Sequence, residues 1–96
     1  MLQARRMQSQ IQQLQEQLSE ERFEGASGGG LVTVTADGRQ KVRKIDINPE
    51  AIDPEDLDEL ADLVTAAVNM AIQASLSHSR AEMKKITGGL VLPGMM

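Results

Sequence analysis

The longest helical pattern in the chain is PEDLDELADLVTAAVNMAIQASLSHSRAEMKKIT, residues 54–87. Asp53 is a favourable N-cap, and Pro54 suits the first turn, where its missing N–H costs nothing. Acidic residues follow at the positive end of the helix dipole, and Lys84 and Lys85 lie near its negative end, just before a Gly-Gly pair. The sequence therefore predicts a helix over residues 54–87.

Apolar residues surround the middle of this predicted helix. They recur at three- and four-residue steps along two stripes, one from Leu57 to Ala74 and the other from Leu63 to Leu76. A helix that is apolar most of the way round is usually buried on more than one side, and a chain of 96 residues has little else to bury it with. We therefore expect a second copy of the chain to cover it. The predicted core and dimer residues are Leu60, Leu63, Val64, Ala67, Val68, Ala71, Ile72 and Leu76.

The composition indicates one domain over residues 1–96, with residues 88–96 as a short apolar tail. The chain has no cysteine, which excludes disulfides and thiolate metal sites and fits a reducing cytoplasm. Gln-rich sequence follows the Arg5-Arg6 pair where a signal peptide requires an apolar segment. We find no apolar run of about 18 residues and expect no membrane span.

Residues 1–22 are predicted to form a first helix. Its apolar residues alternate steps of three and four, and the other positions hold helix-tolerant polar residues. Because so thin an apolar stripe is marginal alone, the helix must pack on another one. Two interpretations stay open, a parallel coiled coil with a partner and packing within the fold. The heptad residues are Ala4, Met7, Ile11, Leu14 and Leu18.

Residues 23–47 are predicted to form a small sheet. Phe23–Ala26 is a short first strand, and Leu31–Ala36 and Arg39–Ile47 flank Asp37-Gly38, a strong hairpin signal. The glycine run before the second strand lacks the Gly-Lys-Ser/Thr ending of a phosphate loop. We therefore interpret it as a connector or a bulged strand start.

Side-chain parity favours one register for this hairpin. A two-residue turn would pair Val32 with Arg43 and mix cations into the apolar face. A three-residue loop over residues 36–38, with its glycine left-handed, pairs Val32 with Val42 and collects the cations on the other face. We predict the second register. The isoleucines that follow break the alternation, which indicates a bulge or a twist near Lys44.

The sequence predicts no metal, cofactor, catalytic residue or small-molecule substrate. His78 is the single histidine, with no acid at metal-sharing spacing, and we expect it to be exposed. The carboxylates from Asp53 to Asp62 lack the alternating ligands and central glycine of a calcium loop and fit a solvated helix start. No Ser/His/Asp arrangement is recognisable, so we do not expect an enzyme.

Positive charge is concentrated locally, although the formal net charge is −4. Four of the ten bases lie between Arg39 and Lys44, whereas seven of the fourteen acids lie between Glu50 and Asp62. The basic row on the hairpin is the best candidate binding surface, and its alternative is the charged solvent face of an edge strand. The candidate binding residues on the hairpin and both helices are Arg5, Arg6, Arg22, Arg39, Lys41, Arg43, Lys44, Arg80, Lys84 and Lys85.

The order of these parts resembles the YbaB/EbfC family of bacterial nucleoid-associated proteins over nearly the whole chain. The resemblance rests on MQSQIQQLQEQL (7–18), EGASGGGLVTVTADGRQKVRKIDINPE (24–50), LDELADLVTAAVNMAIQAS (57–75) and MKKITGGLVLPGM (83–95). The family's framework of glycine, valine, isoleucine and proline falls loosely on fold positions, namely Gly30, Val34, Gly38, Ile47 and Pro49.

The resemblance implies an α+β subunit of α-β-β-β-α order, an intertwined, tweezer-like homodimer, and a location at the nucleoid in the cytoplasm. It also implies binding of double-stranded DNA with little or modest sequence preference, through the helical arms and basic surface, with effects on nucleoid organisation and gene expression. The single aromatic residue offers no platform for stacking unpaired bases, which disfavours a single-strand binder. The alternative is a dimeric interaction or scaffold protein whose heptad helix binds a protein partner and which has no DNA role.

Overall fold

The computed structural model describes residues 2–88, which form two helices and three strands. The elements are α1 (Leu2–Glu20), β1 (Arg22–Ser27), β2 (Val32–Asp37), β3 (Val42–Ile47) and α2 (Leu57–Thr87). Short 3-10 turns at Gly28–Gly30 and Pro49–Ala51 join β1 to β2 and follow β3. The α-β-β-β-α order is confirmed. Met1 and the predicted tail beyond Gly88 lie outside the described residues.

The three strands form one antiparallel sheet in the order β1-β2-β3. The central strand turns Val32, Val34 and Ala36 toward α2, and all three side chains are buried. α2 packs on β1 and β2, so the edge strand β3 has no helix above it. The core of the subunit therefore lies between α2 and the sheet. On that same face of the sheet, the edge strand β3 is left uncovered.

The closest approach between the helix and the sheet is at Gly25 of β1. A Cβ atom there would lie 2.6 Å from the backbone nitrogen of Ala71 and 2.8 Å from Cβ of Met70. The helix residues at this contact are also small, with Ala67 and Ala71 fully buried. Because both surfaces lack bulky side chains, the backbone of α2 lies directly against β1.

The first helix packs antiparallel on the C-terminal half of α2. Leu14 and Leu18 bury themselves with Met83, and Ile11 and Ile86 pack at the margin of this cluster. Three of the five heptad residues of α1, Ile11, Leu14 and Leu18, therefore pack on a helix of their own chain, as the second interpretation of the pattern proposed.

The predicted start of α2 is wrong by three residues. The N-cap is Asp56, whose carboxylate accepts a hydrogen bond from the Glu59 N–H at 3.1 Å. Asp53 instead accepts from the Glu55 N–H at 2.9 Å and forms a local turn that contains Pro54. Asp53 and Asp56 are both suitable N-cap residues, and the helix begins after Asp56. The predicted C-terminal end is confirmed, since Gly88 is left-handed and closes the helix on the Lys84 carbonyl.

The predicted hairpin register is also wrong. Val32 pairs with Ile47, not with Val42 or Arg43, and Val42 pairs with Ala36. The loop runs from Gly38 to Lys41, and the left-handed residue in it is Gln40, with φ 63°.

The predicted bulge next to Lys44 explains the register. Pairing shifts between Thr35 and Ala36, so Arg43 is the extra residue of β3. The bulge restores alternation and places Ile45 and Ile47 on the same face of the sheet as the buried valines of β2. The alternation of side chains between the two faces could not reveal this register, because the bulge reverses that alternation partway along β3.

α2 is long and apolar enough, by length and composition alone, to cross a membrane, a test that the core helix of a soluble protein also passes. Its Ala67, Ala71 and Ser75 are fully buried, and the two alanines belong to the core shared with the sheet. This packing favours the core-helix interpretation.

Replacing Gly25 with alanine is expected to lower the free energy of unfolding by about 2–3 kcal/mol, because the added Cβ overlaps the α2 backbone. The control is Gly29→Ala, where a Cβ meets nothing within 4 Å and only the left-handed backbone (φ 68°) is strained. That control should cost about 1 kcal/mol. Urea denaturation at one protein concentration measures both, and equal losses would contradict the close contact.

Candidate nucleic-acid interface

The hairpin loop is built around a buried carboxylate, Asp37, whose exposed fraction is 1%. Its Oδ1 accepts hydrogen bonds from the backbone N–H groups of Arg39 at 2.8 Å and Lys41 at 3.1 Å. Its Oδ2 accepts one from Nε of Arg43 at 2.8 Å. Burial acts to raise the pKa of Asp37, but these hydrogen bonds and the Arg43 charge outweigh it and lower the pKa below its usual value.

The loop is also fastened to both helices. The Gly38 N–H donates to the Leu18 carbonyl at the end of α1 at 2.7 Å, and Ser75 of α2 donates its hydroxyl to the Asp37 carbonyl at 2.5 Å. The Gln40 amide donates to the hydroxyls of Ser75 at 3.1 Å and Ser79 at 3.2 Å. The loop conformation is therefore set by tertiary contacts as well as by turn residues.

A cavity of about 260 Å³ opens beside this loop, and we call it the hairpin pocket. Its lining residues are Ser19, Asp37, Arg39, Lys41 and Arg43. The structure thus brings together three of the cations that the sequence singled out. It places them around a loop and a bulge, not in the predicted row along one face of a strand.

Lys44 does not belong to this group. Its ammonium group lies 3.4 Å from the Asp46 carboxylate, and its side chain is 68% exposed. Arg22 is engaged elsewhere as well, because its Nη1 donates to the carbonyls of Ser19 at 2.8 Å and Glu21 at 3.0 Å and so caps the end of α1.

A second basic group lies on the two helices, and we call its members the arm cations. They are exposed residues on the outer half of α1 and on the last turns of α2, namely Arg5, Arg6, Arg80, Lys84 and Lys85. Because the helices run antiparallel, both sets belong to the same end of the subunit. Lys85 contacts Glu82 at 3.0 Å, a surface pair that leaves most of its side chain in solvent.

His78 is only partly exposed, contrary to the sequence prediction. Its Nε2 lies 2.7 Å from a carboxylate oxygen of Glu21, and its ring lies against Phe23 with centroids 5.2 Å apart. This contact joins α2 to the turn between α1 and β1. The one aromatic side chain of the protein is therefore used in packing.

Sequence reasoning missed the central role of Asp37 and the contribution of Ser19. An Asp-Gly pair between two strands is typical of a solvent-exposed turn, and nothing in the local pattern indicates burial. The signal that could have found Asp37 is its spacing to Arg43, but this spacing becomes a contact only through the bulge.

Comparison with solved structures supports the fold. The crystal structure of the uncharacterised protein HP0035 from Helicobacter pylori matches with a TM-score of 0.77 at 22% identity, over 85% of this chain and 86% of that one. At this identity the similarity concerns the fold alone.

Relatives that are closer in sequence carry functional names. A nucleoid-associated protein of Moorella thermoacetica is 50% identical over 86 residues, which cover 90% of this chain and 83% of the relative. Those of Clostridium novyi and Myxococcus xanthus are 45% and 46% identical, cover 99% and 97% of this chain, and are themselves covered over 83% and 89%.

Fold, exposed cations and relatives together define a small α+β protein of the DNA-binding class. More specifically, the model of the YbaB/EbfC DNA-binding family matches residues 1–90, and the chain belongs to this family. The resemblance drawn from the sequence is confirmed.

Asp37→Asn is expected to lower the free energy of unfolding at pH 7 by about 2 kcal/mol. The asparagine oxygen can still accept the two backbone hydrogen bonds, but its NH₂ group is a donor and would face the N–H donor of Arg43 Nε. The native pKa of Asp37 is depressed, so the carboxylate stabilises the fold above its unfolded pKa and loses this effect as pH falls through the native pKa. The difference between variant and wild type should therefore shrink below about pH 4.

Urea denaturation between pH 7 and pH 2 measures this difference. The matched control is Asp46→Asn, which removes an exposed carboxylate from the neighbouring strand β3 and should change stability by less than about 0.5 kcal/mol. A penalty for Asp37→Asn that stays constant over the whole pH range would contradict the proposed charge pairing.

Proposed function

We propose that the protein acts as a homodimer that binds double-stranded DNA at the nucleoid through backbone phosphates, with little or modest sequence preference. Family membership supports DNA as the partner, and the relatives named above are nucleoid-associated proteins. The observation that carries the dimer is an apolar face that a single subunit leaves uncovered. Neither the family nor the names of the relatives point to a scaffold protein without DNA.

The uncovered surface, which we call the open face, is formed by side chains of β3 and one flank of α2. Ile45 and Ile47 share a sheet face with the buried valines of β2, yet they are 44% and 39% exposed. Val64 and Val68 are only half-buried, and like Val42 of β3 they pack against the margin of the core. Aliphatic residues of a core face that remain in contact with water favour burial by a second subunit.

The rotation of α2 turns these valines toward the β3 side of the helix. Met70 lies against Gly25 of β1, which marks the β1 side of the helix. With about 3.6 residues per turn, Val64 and Val68 fall on the opposite flank of the helix, which is the flank nearer to β3. The half-buried flank of the helix and the exposed face of the strand are therefore parts of one surface.

The arm cations are suited to bind phosphate although the chain is acidic overall. The acidic residues at the start of α2 lie about 40 Å from Lys84, given the rise of a helix over this distance in sequence. Exposed charges are screened within about 10 Å at ordinary salt, so these acids do not neutralise the far end of the helix. A dimer would present two such basic ends to one duplex.

The protein should shift duplex DNA in a gel, and the affinity should fall steeply between about 50 and 200 mM salt because bound cations release counterions. A variant with Arg80, Lys84 and Lys85 all changed to glutamine should bind more weakly and with a shallower salt dependence. Lys44→Gln, which removes an exposed cation elsewhere, is the control. No shift at micromolar protein and low salt would defeat the proposed function.

Val68→Asp is expected to convert the dimer into monomers or unfolded chains, because it places a carboxylate within the open face. Light scattering measures the mass, and circular dichroism measures the helix content. The control is Ala66→Asp, an equal change at an exposed position on the other side of the same helix. A Val68→Asp variant that stays dimeric with unchanged stability would contradict the placement of the interface.

A further inference from the structure

The hairpin pocket holds a cationic group that the arms do not explain. Arg43 uses Nε to donate to Asp37, and its side chain remains 40% exposed. Among residues 2–88, its two Nη groups make no hydrogen bond to the protein. A guanidinium carries several N–H donors in a rigid plane, so fixing one edge on a carboxylate leaves the other edge preorganised for an anion.

The pocket has excess positive charge despite its carboxylate. Arg39, Lys41 and Arg43 surround it, against the single charge of Asp37. Both oxygens of the Asp37 carboxylate already accept hydrogen bonds from Arg39, Lys41 and Arg43, so this negative charge is paired within the protein. The balance of these four charges favours an anion in the cavity.

The end of α1 borders the pocket, and its carbonyl oxygens would repel an anion if they were free. Two of them accept hydrogen bonds from other parts of the protein. The Leu18 carbonyl accepts from the Gly38 N–H at 2.7 Å, and the Ser19 carbonyl accepts from Nη1 of Arg22 at 2.8 Å. Arg22 therefore also contributes by covering the negative end of the helix dipole.

We propose that the hairpin pocket binds one backbone phosphate of duplex DNA. This inference rests on the proposed function and adds a contact site separate from the arm cations. Arg43 donates to the phosphate oxygens through its Nη groups, and Arg39 and Lys41 supply further positive charge. Asp37 is a positioning residue that orients Arg43 without touching the DNA, and a dimer has two such pockets.

The same loop explains why this contact carries little sequence information. Gln40 is the side chain of the loop that is best suited to read a base edge. Its amide instead lies within hydrogen-bond distance of the Gly38 carbonyl at 2.9 Å and of the hydroxyls of Ser75 and Ser79, which holds the side chain partly buried against α2. The remaining donors at the pocket are cations, which bind phosphate in any sequence.

Arg43→Lys separates this role from a structural one. A lysine retains one cation that can pair with Asp37, but it cannot pair with the carboxylate and bind a phosphate at the same time. We expect an unchanged melting temperature and an affinity for duplex DNA about fivefold weaker. The salt dependence, measured as the slope of log K against log salt, should fall by about 0.9 for each pocket that contacts the duplex.

Lys44→Gln is the matched control, since it removes an entire charge from the neighbouring residue of the same strand. It should leave affinity and slope unchanged. Wild-type affinity and slope in Arg43→Lys would overturn the inference, as would an equal loss in both variants. If the variant with Arg80, Lys84 and Lys85 changed to glutamine binds weakly while Arg43→Lys binds like the wild type, only the pocket proposal is defeated. If the wild-type protein does not bind duplex DNA, the proposed function is defeated.

A free anion is the other source of phosphate chemistry, and NMR distinguishes the two. The Arg43 Nε–Hε signal of the full chain is followed during titration with a short duplex and, separately, with inorganic phosphate. Movement of this signal by the duplex supports the proposal. Movement by inorganic phosphate alone, with the duplex leaving the signal in place, would assign the pocket to a free anion and overturn it.

Discussion

The contact between α2 and β1 at Gly25 determines how the rest of the subunit is arranged. Because glycine on the strand meets Ala67 and Ala71 on the helix, the two backbones approach closely and α2 is centred over β1 and β2. One helix placed there cannot also cover β3. The apolar side of β3 and the adjoining flank of α2 are therefore left uncovered within the subunit, which links the packing of the core to the proposed assembly.

The helices were the most predictable part of this fold, because their periodicity is carried by many residues at once. The C-terminal end of α2 is visible in Lys84, Lys85 and Gly88. Its start is not, because Asp53 and Asp56 are both good caps, and the choice between them depends on the turn that contains Pro54. The register of the hairpin depends on a single inserted residue at the bulge, and such an insertion leaves no periodic signal.

The candidate site was predictable in its charges but not in its geometry. The sequence shows that Arg39, Lys41 and Arg43 are close along the chain, and the structure groups them around one cavity. The sequence could not show that Asp37 is buried, because this burial depends on contacts with Leu18 and Ser75, which are distant in sequence. A turn that is stabilised by tertiary contacts has the same local sequence as one that is exposed to solvent.

The charge distribution and the open face together describe how an acidic protein can bind a polyanion. Seven of the fourteen acids lie at or just before the start of α2, the arm cations lie toward the other end of the helix, and a dimer would present two copies of that basic end. The proposed assembly requires two subunits, so the measurement that matters most is the mass of the folded wild-type protein in a dilution series, by light scattering with circular dichroism. We predict twice the subunit mass wherever the protein is fully folded. A stable, fully folded single subunit at low concentration would contradict the proposed assembly.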